Sequence, residues 1–400
     1  MPYSQVYRNI EDWKKPLHVV HAYLAKIYFK FLPSTQVIGV TGSVGKTLTQ
    51  NAICSVLSKK FKIVCGDENL DPTYRIPKTI FAARPWHKFI VLEYGVEHPQ
   101  DMDYYLWLAR PQFAIVTNIA LTHTKYFKSE KGVYAEKVKL IKALPPTGTA
   151  ILNKNDKVVA EMKLQTKANV FWFGKTSKMG IKISDYSQDL RGSTFRMHFH
   201  KDKAAVSWKI IGKHQLLSAQ AAASMGIVAG LSLKQIASGL SQVEVPLHRL
   251  NVVKTQKAYI LDDTYNSSPK AAKESIETLV DLGATHKKLA ILGEMKDLGS
   301  LSTTAHIDLG EFISKTNIDH LITIGKVAKL IGKSARKNKF KGQVLNYFTT
   351  QQALVQAQKL TSENSLILIK GSRHAHLERI VFALQGKSTQ ISCYQCGNLK

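Results

Sequence analysis

Residues 38–47 read Ile-Gly-Val-Thr-Gly-Ser-Val-Gly-Lys-Thr, an apolar run entering a glycine-punctuated turn that ends at Lys-Thr. Gly42 and Gly45 let the backbone wrap closely around a polyphosphate, so that amide N–H groups point inward. Lys46 then neutralises the β and γ phosphates, and the Thr47 hydroxyl meets Mg²⁺. An apolar strand over 36–40 leads in and a helix over about 47–59 leads out, with its positive end at the same anion. Thr41, Gly42, Ser43, Val44, Gly45, Lys46 and Thr47 are therefore the candidate phosphate cradle. The common pattern of Gly, four residues and Gly-Lys-Thr needs glycine at position 40, where this chain has Val40.

The chain has 400 residues, enough for two or three domains, and its 44% hydrophobic and 21% charged content is that of a globular protein. Its 56 Lys and Arg against 29 Asp and Glu give a formal net charge of +27. Such a surplus favours anionic partners, or else reflects a generally basic composition. No basic run with interleaved aromatics of the RNA-binding kind is present, so a nucleic-acid partner is not expected. Cys54, Cys65, Cys393 and Cys396 do not make a disulfide framework in a chain of this size, and a reduced cytoplasmic location follows. Cys393 and Cys396 form one C-x-x-C near the end, without the second pair that a structural zinc needs. Residues 17–32 are apolar and aromatic but too short to span a bilayer. They read either as a helix packed on the following domain or as an amphipathic helix lying on an anionic membrane surface.

Short apolar runs at 89–94, 113–117 and 150–153 alternate with helix-compatible segments, which predicts a parallel α/β sheet covered on both faces. Residues 194–200 and 205–211 alternate in polarity as antiparallel strands do, and 212–231 is an Ala-rich helix able to pack closely. Beyond Pro246 the alternation resumes, with strands at 259–262, 289–292, 320–324 and 365–369. The predicted architecture is α/β: an N-terminal helical extension (1–35), a P-loop parallel-sheet ATPase domain (36–245) and a Rossmann-like α/β domain (246–400).

The segments Thr-Gly-Ser-Val-Gly-Lys-Thr (41–47), Leu-Glu-Tyr-Gly (92–95), Thr-Asn-Ile with His123 (117–123), Gly-Val-Tyr-Ala-Glu-Lys (132–137), Gly-Lys-His (212–214), Asp-Asp-Thr-Tyr-Asn-Ser-Ser-Pro (262–269), Leu-Gly-Glu-Met-Lys-Asp-Leu-Gly (292–299) and Lys-Gly-Ser-Arg (370–373) occur in this order. Together they resemble the Mur ligases, the ATP-dependent enzymes that join amino acids to a peptidoglycan precursor, and most closely the type that adds D-alanyl-D-alanine. The resemblance implies that ATP activates a carboxylate as an acyl phosphate, which an incoming amine attacks. Cations should then surround the phosphoryl oxygens that gain charge. Alone, Glu93 reads as a strand-end carboxylate, His123 as a loop histidine and Lys137 as part of a solvated helix face. The resemblance makes Glu93 and His123 ligands of Mg²⁺, and Lys137 a carbamylated lysine that binds a second Mg²⁺. Lys46, His123 and Lys137 are the implied catalytic residues, with Thr47, Glu93, His123 and Lys137 as metal ligands. The resemblance further implies that Arg249 reaches the ATP phosphates, Asp263 holds the ribose, Tyr265 and Asn266 flank the nucleotide, and Lys370 and Arg373 meet the carboxylate of the incoming amino acid or dipeptide. The implied enzyme is a cytoplasmic monomer acting on an anionic cell-wall precursor.

The chain also departs from the family pattern. Gln215 and Ser218 replace two amides near the adenine, His248 precedes Arg249 where glycine is usual, and Lys139 stands where an acid is usual. Only about 35 residues precede the first strand, where such enzymes carry a uridine-nucleotide domain. A related amide ligase with another acceptor, or a non-catalytic scaffold of the same fold, are the competing readings.

Overall fold

The computed structural model describes residues 6–8, 10–66, 71–174, 180–387, 391–393 and 397–399. Strands β1 (Gln36–Thr41), β2 (Ile63–Cys65), β3 (Phe89–Glu93), β4 (Phe113–Val116), β5 (Thr149–Asn153) and β6 (Asn169–Phe173) form one sheet in the order β2-β3-β1-β4-β5-β6. All its pairs are parallel. The N-terminal half also contains α1 (Lys15–Phe29), α2 (Lys46–Leu57), α3 (Pro72–Ala82), α4 (Asp101–Leu108), α5 (Thr124–Phe127), α6 (Glu130–Lys142), α7 (Lys157–Glu161), α8 (Leu216–Val228) and α9 (Leu233–Ser241).

Alternation along each strand sends side chains to two separate cores. Val37, Ile90, Leu92, Ala114 and Val116 pack with α1, α3, α4 and α6 on one face. Ile38, Val40, Val91, Ile115 and Ile151 pack with α2, α8 and α9 on the other. This second core extends under an antiparallel sheet of β7 (Lys182–Asp189), β8 (Gly192–Phe199) and β9 (Asp202–Trp208), which contributes Phe195, Met197, Val206 and Trp208. Each large apolar side chain fully buried this way contributes about 1.5–3 kcal/mol. The small residues in α8 and α9 have a steric reason: a Cβ on Gly239 would lie 2.6 Å from the Cα of Val56 in α2. The helix expected over 212–231 begins later, because Gly212 (φ +92°) opens a 3₁₀ turn over Lys213–Gln215 before α8 starts.

The C-terminal half is a second sheet of β10 (Asn251–Lys254), β11 (Ala258–Asp263), β12 (Lys287–Gly293), β13 (His320–Ile324), β14 (Gln343–Tyr347) and β15 (Ser365–Lys370), ordered β10-β11-β15-β12-β13-β14. Only β10 runs antiparallel to its neighbour. Helices α10 (Pro269–Leu282), α11 (Ser302–Ser314), α12 (Lys329–Lys337), α13 (Thr350–Leu360) and α14 (Glu378–Leu384) cover its faces.

Two expectations change here. Cys54 on α2 and Cys65 on β2 form a disulfide with Cα atoms 6.3 Å apart, so the four cysteines are not all free thiols, and their count no longer argues for a reduced location. The pairing depends on α2 folding back beside β2, which cysteine counting does not capture. Segment 17–32 is largely the helix α1, whose Val19, Ala22 and Ala25 are buried in the first core. Among the described residues no helix is long and apolar enough to cross a membrane. Cys396 lies outside the described residues, so the C-x-x-C is left at the level of sequence.

Candidate active site

The loop between β1 and α2 is held from behind. The Thr41 hydroxyl is buried and donates to the Tyr94 carbonyl at 2.8 Å. Gly42 adopts φ +146°, and a Cβ there would sit 1.9 Å from the Thr117 hydroxyl oxygen, so no other residue fits. The Ser43 amide donates to the Asn118 carbonyl (2.9 Å), and the Val44 amide donates to the Asn118 side chain (3.1 Å). With these two amides engaged, the donors left for an anion are those at the start of α2, where the first turn has no preceding carbonyls. Thr41 and Gly42 thus shape the loop from beneath, while Ser43 through Thr47 line the opening.

That opening is a cleft of about 1550 Å³, including the space open to solvent, with one wall from each half of the chain. The first wall carries Lys46, Thr47, Glu93 and His123, at or just beyond the carboxyl ends of the parallel strands, where ligands of open α/β sheets bind. The second carries Arg249, Asp263, Tyr265, Asn266 and Lys370. The walls also touch directly: the Lys125 amide donates to the Asp297 carbonyl (2.9 Å) and the Thr124 hydroxyl to the Leu298 carbonyl (3.0 Å).

Comparison with known proteins agrees with this two-walled arrangement. The Mur ligase middle domain matches residues 40–226, and the Mur ligase, glutamate ligase domain matches residues 248–373. The UDP-N-acetylmuramoyl-tripeptide--D-alanyl-D-alanine ligase of Bacillus subtilis is 32% identical over 360 residues, covering 90% of this chain and 77% of that protein. The chain belongs to the Mur ligase family. The Escherichia coli enzyme of the same name is 26% identical over 360 residues, with 88% of this chain and 78% of that protein covered. MurF from Acinetobacter baumannii superposes with a TM-score of 0.84 at 25% identity, over 92% of this chain and 81% of that one. This Mur ligase is accordingly an ATP-dependent carbon–nitrogen ligase.

In the ligase, the Thr47 hydroxyl donates to the Glu93 carboxylate at 2.9 Å, and the Arg75 guanidinium lies 3.5 Å from the same oxygen. Burial pushes the Glu93 carboxyl up, but Arg75, Lys46, Arg249 and Thr47 outweigh it and hold it below the usual carboxylate range. Glu93 is therefore an anion in a site rich in cations. The buried Nδ1 of His123 has no hydrogen-bond partner. Burial first, then Lys46, Lys137 and His98, push this imidazole down to about 3, so it is a neutral ring with a lone pair to offer. Among the described residues no three His, Cys, Asp or Glu side chains cluster as a metal cage. The donors present suit Mg²⁺, which keeps waters and takes one or two carboxylates together with substrate phosphates.

Lys137 does not line the cleft. It is 1% exposed on α6, and burial, then Lys46, drive its amine far below the usual lysine range against the pull of Glu93, Glu136 and Asp101. Across the cleft the Arg249 guanidinium stacks 3.9 Å over the Tyr265 ring. Asp263 accepts from Lys370 (2.5 Å) and from the Ser275 hydroxyl (2.6 Å), and Lys370 also donates to the Asn266 carbonyl (3.0 Å). Lys370, assigned from the sequence to an incoming carboxylate, is thus committed to Asp263. Arg373 lies away from the cleft lining, paired with Glu378 at 2.9 Å. Ser218 is absent from the cleft lining and accepts from the Thr49 hydroxyl (3.1 Å) on α2, whereas Gln215 lines the cleft. His248, in place of glycine, takes φ +59° and pairs with Asp262 at 2.7 Å. Lys139 bridges Asp103 (2.6 Å) and Glu136 (2.8 Å).

Sequence reasoning did not single out Arg75, Glu97 or Glu274, all of which line the cleft. No motif marks them; they reach the site only through packing of α3, the β3–α4 loop and α10. Glu97 is pushed up to about 7 by burial and by Asp71, Asp101 and Asp297, against Lys46. Between its ordinary 4.5 and about 7 the folded carboxyl keeps a proton that the unfolded chain releases, so stability falls as pH rises through that window. Above it the penalty is complete. Glu97→Gln is therefore expected to raise the Tm of the metal- and nucleotide-free enzyme at about pH 8 and to leave it near wild type at about pH 4.5. Equal shifts at both pH values would contradict this assignment.

Proposed function

We propose that this ligase joins the amine of D-alanyl-D-alanine to the terminal carboxylate of a UDP-linked muramoyl tripeptide, the substrates named for its relatives from Bacillus subtilis and Escherichia coli. A carboxylate oxygen attacks the γ-phosphorus of ATP, the bond to ADP breaks, and an acyl phosphate forms. The amine nitrogen then attacks the acyl carbon, releasing inorganic phosphate and a proton. The observation that carries this reading is the placement of Lys46, Glu93 and His123 on one wall of a cleft and Arg249, Asp263 and Tyr265 on the other.

The start of α2 and Lys46 hold the transferring phosphoryl oxygens, and Arg249 adds positive charge from the opposite wall. Lys370 orients Asp263 toward the ribose rather than contacting substrate itself. Thr47, Glu93 and His123 would hold one Mg²⁺ on the cleft wall and a carbamylated Lys137, buried behind it, a second; both would neutralise phosphate charge. The domains, 36–245 and 246–400, close on the nucleotide and exclude water from the acyl phosphate. The enzyme acts as a monomer in the cytoplasm, with peripheral membrane contact through 17–32.

Incubation with ATP, D-Ala-D-Ala and a uridine-linked muramoyl tripeptide is expected to yield a product heavier than the acceptor by the dipeptide less water, read by mass spectrometry. ATP binding without any such product across a panel of cell-wall acceptors would overturn the assignment.

A further inference from the structure

We propose that the outer face of α1 seats this enzyme on a bilayer containing anionic lipid, with the helix lying in the headgroup plane. This deepens the peripheral-contact part of the function proposed above and is independent of the substrates named there. The observation is a continuous apolar stripe. Trp13, Leu17, Val20, Leu24, Ile27 and Phe31 are 68%, 63%, 54%, 53%, 50% and 70% exposed. The three-four spacing of Leu17, Val20, Leu24 and Ile27 keeps these four on one side of the helix, opposite the buried Val19, Ala22 and Ala25, with Trp13 just before the helix and Phe31 just after it. Isolated exposed apolar residues need no explanation, but a patch of this length does.

The charge around the stripe identifies what covers it. Residues Lys15–Phe29 contain no acid, and Lys30 follows the helix at its exposed end, while Lys26 turns inward over the Trp107 ring at 4.2 Å. The acids just before the helix, Glu11 and Asp12, are paired with Lys14 and Lys15. At the far end the Tyr28 hydroxyl donates to the Ala83 carbonyl (2.8 Å), which ties to α1 a loop carrying Arg84 and Trp86, the latter 62% exposed. Apolar residues with tryptophans at both ends and basic residues alongside suit the interface of an anionic membrane. A second copy of α1 would fit the four-three spacing, but it would bring together two helices that carry basic residues and no acid between Lys15 and Phe29. With a formal net charge of +27 the rest of the molecule adds to the attraction to lipid and to the repulsion between copies.

The test is flotation of the full chain with phosphatidylcholine vesicles that contain or lack phosphatidylglycerol, at physiological ionic strength. The wild type is expected to float with the anionic vesicles and to stay behind with the neutral ones. Leu24→Gln with Ile27→Gln is expected to lower partitioning on the order of tenfold or more, since apolar burial and headgroup attraction act together. Turnover in lipid-free buffer should be unchanged, which reports that the variant is folded and keeps this test separate from the ligase assignment. Absence of flotation with anionic vesicles, or equal flotation of variant and wild type, would overturn the proposal. So would a dimer in sedimentation experiments that the double substitution dissociates, because the face would then belong to a second copy.

Discussion

Lys137→Ala is expected to lower kcat on the order of 10²–10³-fold, the scale seen when one preorganised electrostatic group is removed from a reaction centre. A buried ammonium without a partner is costly, and Lys137 has neither a hydrogen bond nor an ion pair among the described residues. The amine is therefore neutral, the form that combines with CO₂ to give a carbamate and a proton. Lys46, which repels the ammonium, attracts the carbamate, so the same neighbour favours both steps. Wild-type enzyme should take up label from ¹³C-bicarbonate as a carbamate resonance that the variant lacks, and a small carboxylate such as formate should restore part of the turnover. Stability should change little, because deleting an unpaired buried amine offsets part of the cavity cost. Full turnover by Lys137→Ala without bicarbonate dependence would remove the residue from the mechanism.

Lys137 also shows how far sequence alone reaches. Its segment could be matched, but beside Lys139 and Lys142 it reads as one of several lysines on a solvated helix. Only packing of α6 against the first sheet separates the buried amine from Lys139, which sits between two acids at the edge. The strands were legible because parallel, doubly covered strands are apolar throughout: 89–94 and 320–324 were read nearly as they occur. The phosphate loop was legible because its glycines answer to local sterics. Contacts between residues far apart in sequence were not legible. Asp263 and Lys370 are joined by parallel pairing of β11 with β15, and Cys54 meets Cys65 through a helix that folds back. Arg373 stands three residues from Lys370, yet after the strand ends the chain turns it toward Glu378 and away from the cleft.

Glu93 is where function and stability meet, and Glu93→Ala is expected to damage both. Its carboxylate lies 3.5 Å from the buried Arg75 guanidinium and 2.9 Å from the Thr47 hydroxyl. Removing it takes one anionic partner from the buried Arg75 guanidinium, a loss of about 1.5–3 kcal/mol. That loss should appear in denaturant titration of the nucleotide-free enzyme. Because Glu93 titrates below its ordinary 4.5 in the folded state, its contribution is present above that value and fades as pH falls through the lower folded value. The gap between variant and wild type should narrow accordingly in acid. Adding Arg75→Met should recover part of the stability, since an apolar side chain of similar length replaces a buried guanidinium that has lost this carboxylate. Activity should not return: without the carboxylate the proposed Mg²⁺ site lacks a ligand, and kcat stays down on the order of 10²–10³-fold at saturating ATP. Recovery of both by Arg75→Met would mean that Glu93 serves only to neutralise Arg75. Recovery of neither would mean that Arg75 has its own role at the cleft.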